Sequence, residues 1–249
     1  MCAAFSPEEE LLFDKVGGGV LKRLRKTSNP AELLSVPRKA QREFDRAYAG
    51  APAEARAAVA CRAGCDACCH VPVGVQAHEV LIVAQHVQTT FSPTALEDLI
   101  ARAAEHRAAF AGRTSFERMS LRRPCPMLHD GNCTVYEARP EACRSHHSHN
   151  ADACRANLAS GREDEDVFIP GVRARMFAVM LGIDQGVAEA GFDGQAYDLG
   201  SALHEALTNS QSAVRWMRRE AAFPEDCREA SEPGDDEDAG VIRAEGFFS

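Results

Sequence analysis

The stretch CRAGCDACC, residues 61–69, puts four cysteines into nine positions: Cys61, Cys65, Cys68 and Cys69. Gaps this short let one turn of backbone aim several thiolates at a single centre, as zinc and iron–sulfur sites require. A second group follows in CPMLHDGNCTVYEARPEACR, residues 125–144, with Cys125, Cys133 and Cys143, and Cys154 stands ten residues beyond it. Eight of the ten cysteines therefore lie between residues 61 and 154, while Cys2 and Cys227 lie outside and are expected to be free thiols in mobile ends.

Whether such thiols pair or bind metal depends on the compartment. MCAAFSPEEE has neither a basic stretch nor a long apolar one, so a secretory signal is not expected, and no run of eighteen apolar residues predicts a membrane helix. The expected location is the cytoplasm, and the Arg- and Ala-rich composition suggests a GC-rich, bacterial genome. Cytoplasmic thiols are kept reduced, and clustered ones bind metal more often than they form disulfides. A chain of 249 residues is also long enough to fold without disulfide staples.

Working outward from the cysteines, the periodicity is helical. Ser6-Pro7-Glu8-Glu9 reads as a capping box with proline at the first helical position, and Gly17-Gly18-Gly19 is expected to break or fray the helix that follows. Asn29-Pro30-Ala31-Glu32 repeats the capping signal, and a helix is predicted from Pro37 to about Tyr48, ending at Gly50. Residues 53–61 are predicted helical, with Cys61 near the C-terminus and Gly64 as the stop. Helices spanning Ala77–Phe91 and following Ser92-Pro93 are expected to form an antiparallel hairpin that brings the two cysteine groups together. Further helices are placed at Val172–Leu181 and Tyr197–Arg219, with short strands at Val71–Val75, Thr134–Tyr136 and Val167–Ile169. In the second group, Gly131 should give the tight turn of a hairpin. Pro140 should open a short helix, whose free N–H groups would lower the Cys143 thiol pKa.

Charge separates along the chain. Nine of the 37 acids lie in residues 225–249; without that segment 28 acids face 26 bases, so the folded part is close to neutral. A nucleic-acid partner, which needs a basic face, is not expected. No phosphate-binding loop, Ser-His-Asp set or dinucleotide fingerprint occurs.

The pattern C-x3-C-x2-C-C, then C-P-x-L-x-x-G-x-C-x-V-Y-x-x-R-P-x-x-C-R and a further cysteine, resembles the YkgJ-type cysteine-cluster family over residues 61–154. That resemblance implies a zinc- or iron-chelating domain, sometimes labelled an iron–sulfur oxidoreductase, and it supplies no substrate. Cys61-x3-Cys65-x2-Cys68 also has radical-SAM spacing, but the chain has too few strands for the barrel such enzymes need.

The reading is a mainly α protein with an irregular Cys-rich metal-binding core and short β segments. Residues 1–60 form an N-terminal helical segment, 61–154 the core, 155–223 a C-terminal helical segment, and 224–249 an acidic disordered tail. The expected metal ligands are Cys61, Cys65, Cys68, Cys69, Cys125, Cys133, Cys143 and Cys154, holding an iron–sulfur cluster or Zn2+, with the tight run and the family label inclining toward iron–sulfur. Adjacent side chains diverge, so Cys68 and Cys69 are expected to serve different centres or different roles. His146, His147 and His149 read as a polar loop, with a metal ligand or proton carrier as the alternative; the remaining histidines except His70 read as exposed or packing residues. Tyr136 and Arg139 are expected to brace the second loop. A redox or cluster-dependent metalloprotein and a non-catalytic zinc interaction module are the two functions that fit.

Overall fold

The computed structural model describes residues 5–161 and 167–229. The chain is mainly α, as the periodicity predicts. Helix α1 (Pro7–Lys26) leads into α2 (Pro30–Leu33), α3 (Ser35–Ala40), α4 (Arg42–Ala49) and α5 (Ala53–Ala57). A 3-10 turn at Ala67–His70 precedes β1 (Gly74–Gln76), α6 (Ala77–Thr90), α7 (Pro93–Phe110) and α8 (Ser115–Leu121). The second cysteine segment holds β2 (Leu128–His129), β3 (Asn132–Cys133), α9 (Glu141–Ser145) and α10 (Ala151–Ser160). It is followed by α11 (Pro170–Glu189), β4 (Ala196–Asp198), α12 (Leu199–Thr208) and α13 (Gln211–Met217).

The predicted start of α1 is present: the Ser6 side chain accepts from Glu9 N, and Glu9 reaches back to the cap. The predicted break at Gly17–Gly19 is not, because α1 runs straight through it. The reason is packing. A Cβ on Gly17 would stand 2.9 Å from the Gly182 carbonyl oxygen, and one on Gly186 would stand 2.6 Å from the Gly17 oxygen. These glycines let α1 and α11 touch backbone to backbone, and Val16, Val20 and Leu24 bury themselves alongside. Each such side chain contributes about 1.5–3 kcal/mol, more than the roughly 1 kcal/mol helix cost of a glycine.

Around α11 gather α3, α4, α5 and α9, while α12 lies against both α6 and α7. The expected packing of α6 on α7 gives way to α12, which contacts both. The long C-terminal helix expected from Tyr197 starts at Leu199, because Tyr197 pairs with Val75 in the antiparallel β1–β4 ribbon, and it breaks at Asn209. Asp198 ends the ribbon and caps α12, accepting from Ser201 N at 2.8 Å. The helix predicted from Pro37 divides at Gln41 into α3 and α4.

Residues 225–229, grouped by composition with the acidic tail, pack on this ribbon. Arg228 bridges Tyr197, and Glu229 N donates to Ala196 O at 3.1 Å. Cys227 is a free thiol as expected, yet it is fully buried against the Ser201 carbonyl and not in a mobile end. The rest of the tail expectation, and that for Cys2, lie outside the described residues.

Candidate metal centre

The first cysteine group sits on irregular backbone. Helix α5 stops at Ala57, four residues before Cys61, because Ala60 N donates to the Ser148 carbonyl at 2.8 Å instead of to its own helix. Ser148 N then donates to Cys61 Sγ at 3.3 Å, and Cys154 Sγ donates to Ser148 Oγ at 3.1 Å. One serine therefore ties the first cysteine of the cluster to the last. Helix α10, which carries Cys154, packs on the Ala67–His70 turn that carries Cys68 and Cys69.

The second group meets the first through the backbone: Cys125 N donates to Cys69 O at 2.7 Å. Asp130 (φ 48°) and Gly131 (φ 69°) form the two-residue turn between β2 and β3, the left-handed pair that an Asp-Gly hairpin calls for. Cys133 pairs with Leu128, whose N–H donates to Cys125 O, so the predicted hairpin holds both cysteines at one end. The strand predicted at Thr134–Tyr136 ends sooner, with Tyr136–Ala138 turning into a 3-10 helix. Pro140 caps α9, placing Cys143 in its first turn as expected.

Cys61 and Cys68 are exposed, the other six cluster thiols are half-buried, and all eight are free. Their surroundings oppose ionisation of Cys61, Cys68, Cys125, Cys133 and Cys143. The Cys69 side chain lies within hydrogen-bonding reach of the Cys68 thiol and, ahead of burial, drives its pKa up. Surrounding protein pushes Cys125 up to about 12, and the same cause raises Cys133 and Cys61. Cys143 rises well above the thiol range, first through burial and then through Cys125, Cys68 and Cys133. The helix terminus expected to lower it is outweighed. Cys68, Cys125, Cys133 and Cys143 thus form one mutually repelling set, while Cys61 is raised by Cys65, Cys68 and Cys154. Crowded thiols of this kind ionise together only around a cation, whose charge reverses the local pKa logic.

The basic residues brace this surface. Arg139 lies 4.0 Å over the Tyr136 ring and lowers the Cys133 and Cys68 thiols, against the larger effect of burial and neighbours. Arg144 bonds back to Arg139 O and Glu137 O. Of the histidines, His146 packs edge-on against Phe168 and His147 stacks on Tyr48; burial lowers both, His146 to about 4. These two are packed rings more than a loose polar loop. His149 is exposed.

The family model CxxCxxCC, described as “Putative zinc- or iron-chelating domain”, matches residues 60–164. This segment is similar to that family. The domain match covers all eight clustered cysteines and leaves α1–α5 and α11–α13 outside it. No curated protein and no solved structure matches the chain. The donor set of this segment suits that description, since thiolates favour zinc and iron–sulfur centres. No helix among the described residues is long and apolar enough to cross a membrane.

Among the described residues the tightest group of metal-type ligand atoms is nevertheless not made of thiols. His78, Glu79 and Asp184 offer atoms all within 4.8 Å of one another, and all three are buried. Glu141, fully buried, adds Oε1 at 3.3 Å from His78 Nε2. Burial lowers the His78 imidazole to about 4 and raises Glu79, Glu141 and Asp184. Sequence reading missed this cluster by treating His78 as exposed or packing. The available signal was polar: His78-Glu79 and Asp184 adjoin the apolar runs 80–84 and 176–183, where ionisable residues belong only when paired or ligated.

Proposed function

We propose that the cysteine-cluster domain holds an iron–sulfur centre at the protein surface and uses it for electron transfer or a cluster-dependent reaction. What supports this reading is the mutual repulsion of Cys68, Cys125, Cys133 and Cys143, and that of Cys61 with Cys65, Cys68 and Cys154, among free thiols in the segment similar to a chelating domain. Cys68, Cys125, Cys133 and Cys143 are the inner ligand set, and Cys61, Cys65 and Cys154, closed by Cys69, the outer one. Solvent-open thiolates would leave a cluster within reach of a redox partner, whereas a purely structural zinc knot is a closed four-ligand site.

Cys133→Ser and Cys154→Ser test the division. Each should lose the metal of its own set, read as metal per chain on protein purified without oxygen. If both variants keep full metal content, the ligand sets are wrong.

A further inference from the structure

Between α6, α9 and α11, away from solvent, the chain gathers three carboxylates and one imidazole with too few hydrogen bonds. Glu79 is the well-held member: its Oε2 accepts from Gln76 N and its Oε1 from Glu141 N, both at 2.7 Å. Those bonds fix the carboxylate beside His78. Asp184 comes from the opposite helix with Oδ1 at 3.9 Å from His78 Nε2, too far for a hydrogen bond. Glu141 Oε1 meets His78 Nε2 at 3.3 Å and Gln41 Nε2 at 3.4 Å.

What remains is unpaired. Asp184 Oδ1, Glu141 Oε2 and His78 Nδ1 have no hydrogen-bond partner; His78 and Glu141 are 0% exposed and Asp184 8%. Among the described residues, no arginine or lysine bonds to any of the three carboxylates. A buried polar group without a partner is costly, and here several stand together.

We propose that His78, Glu79 and Asp184, with Glu141 as the fourth donor, bind one divalent first-row metal ion. Imidazole and carboxylate donors select Zn2+, Fe2+ or Mn2+ and not the soft ions that prefer sulfur. The site is separate from the thiolate centre in donor chemistry. It joins α6 and α11 through the ion, and Glu141 stands two residues from Cys143 in α9, so the two centres share one short helix. The inference does not depend on the thiolate reading, and its test keeps the two apart.

The test compares the full chain, Asp184→Asn and Cys133→Ser by elemental mass spectrometry and thermal melting. Asp184→Asn should lose about one metal ion per chain and melt lower, while Cys133→Ser keeps that ion, since metal binding is coupled to folding. A metal-free acid cluster behaves oppositely: Asp184→Asn relieves a like charge, keeps full metal content and melts at or above the parent, which would overturn the proposal. Should Asp184→Asn not fold, X-ray absorption on the unmutated chain decides. An oxygen/nitrogen shell at about 2.0–2.2 Å beside sulfur at about 2.3 Å supports the site, and sulfur alone overturns it.

Discussion

Gly17 of α1 and Gly182 of α11 face each other so closely that a Cβ on Gly17 would lie 2.9 Å from the Gly182 carbonyl oxygen. That contact sets the distance between the N-terminal helix and α11, which carries Asp184.

Gly17→Ala and Gly182→Ala should each destabilise the fold by roughly 1–3 kcal/mol, because the obstructing atoms are backbone and must shift. Gly18 and Gly19, in the same run, have nothing within 4 Å of such a Cβ. Their replacement by alanine should stabilise by about 0.5–1 kcal/mol through helix propensity. Denaturant midpoints of the four variants check the opposite signs.

Arg139 offsets negative charge beside Cys133 and Cys68. Arg139→Gln should weaken metal retention about 10-fold, within the usual range for residues outside the ligand shell. Thiols must lose protons to bind, so retention falls as pH falls. Without the guanidinium that loss should occur at higher pH, which competition with a colorimetric chelator across a pH series would reveal.

Burial works against the Asp198 carboxylate, yet bonds from His106 and Ser201 outweigh it and hold its pKa below the usual range. Ser201 Oγ donates at 2.6 Å, and His106 Nε2 stands 3.3 Å away. A depressed folded pKa adds stability above the unfolded value near about 3.9 and loses it as pH falls through the folded one. Ser201→Ala should therefore cost about 1.5–3 kcal/mol at pH 7, less in acid, and move acid unfolding to higher pH. Circular dichroism against pH reads that shift.

The helices were legible because their signals are local: the Ser6 capping box, Ser92-Pro93 before α7, and the apolar spacing of α6. So was the Asp130-Gly131 hairpin. What escaped was decided by partners distant in sequence. The Gly17 run reads as a breaker until Gly182 is seen opposite it. Cys61 reads as a helix end until Ser148 takes the N–H of Ala60. Tyr197 reads as helical until Val75 pairs with it. The cysteines themselves were found by spacing. The thiol environments were not, since burial by the whole fold outweighs the single helix terminus beside Cys143. His78, Glu79, Glu141 and Asp184 span more than a hundred residues, and only the folded chain makes them one group.

The central claim is an iron–sulfur centre in residues 61–154. Its most direct test is iron, zinc and acid-labile sulfide per chain, with a visible spectrum, on protein purified without oxygen and repeated after iron-supplemented growth. Iron with matching sulfide, and a brown absorbance bleached by dithionite, is the predicted result. Colourless protein carrying zinc and no sulfide in both preparations would contradict it and leave a structural zinc module.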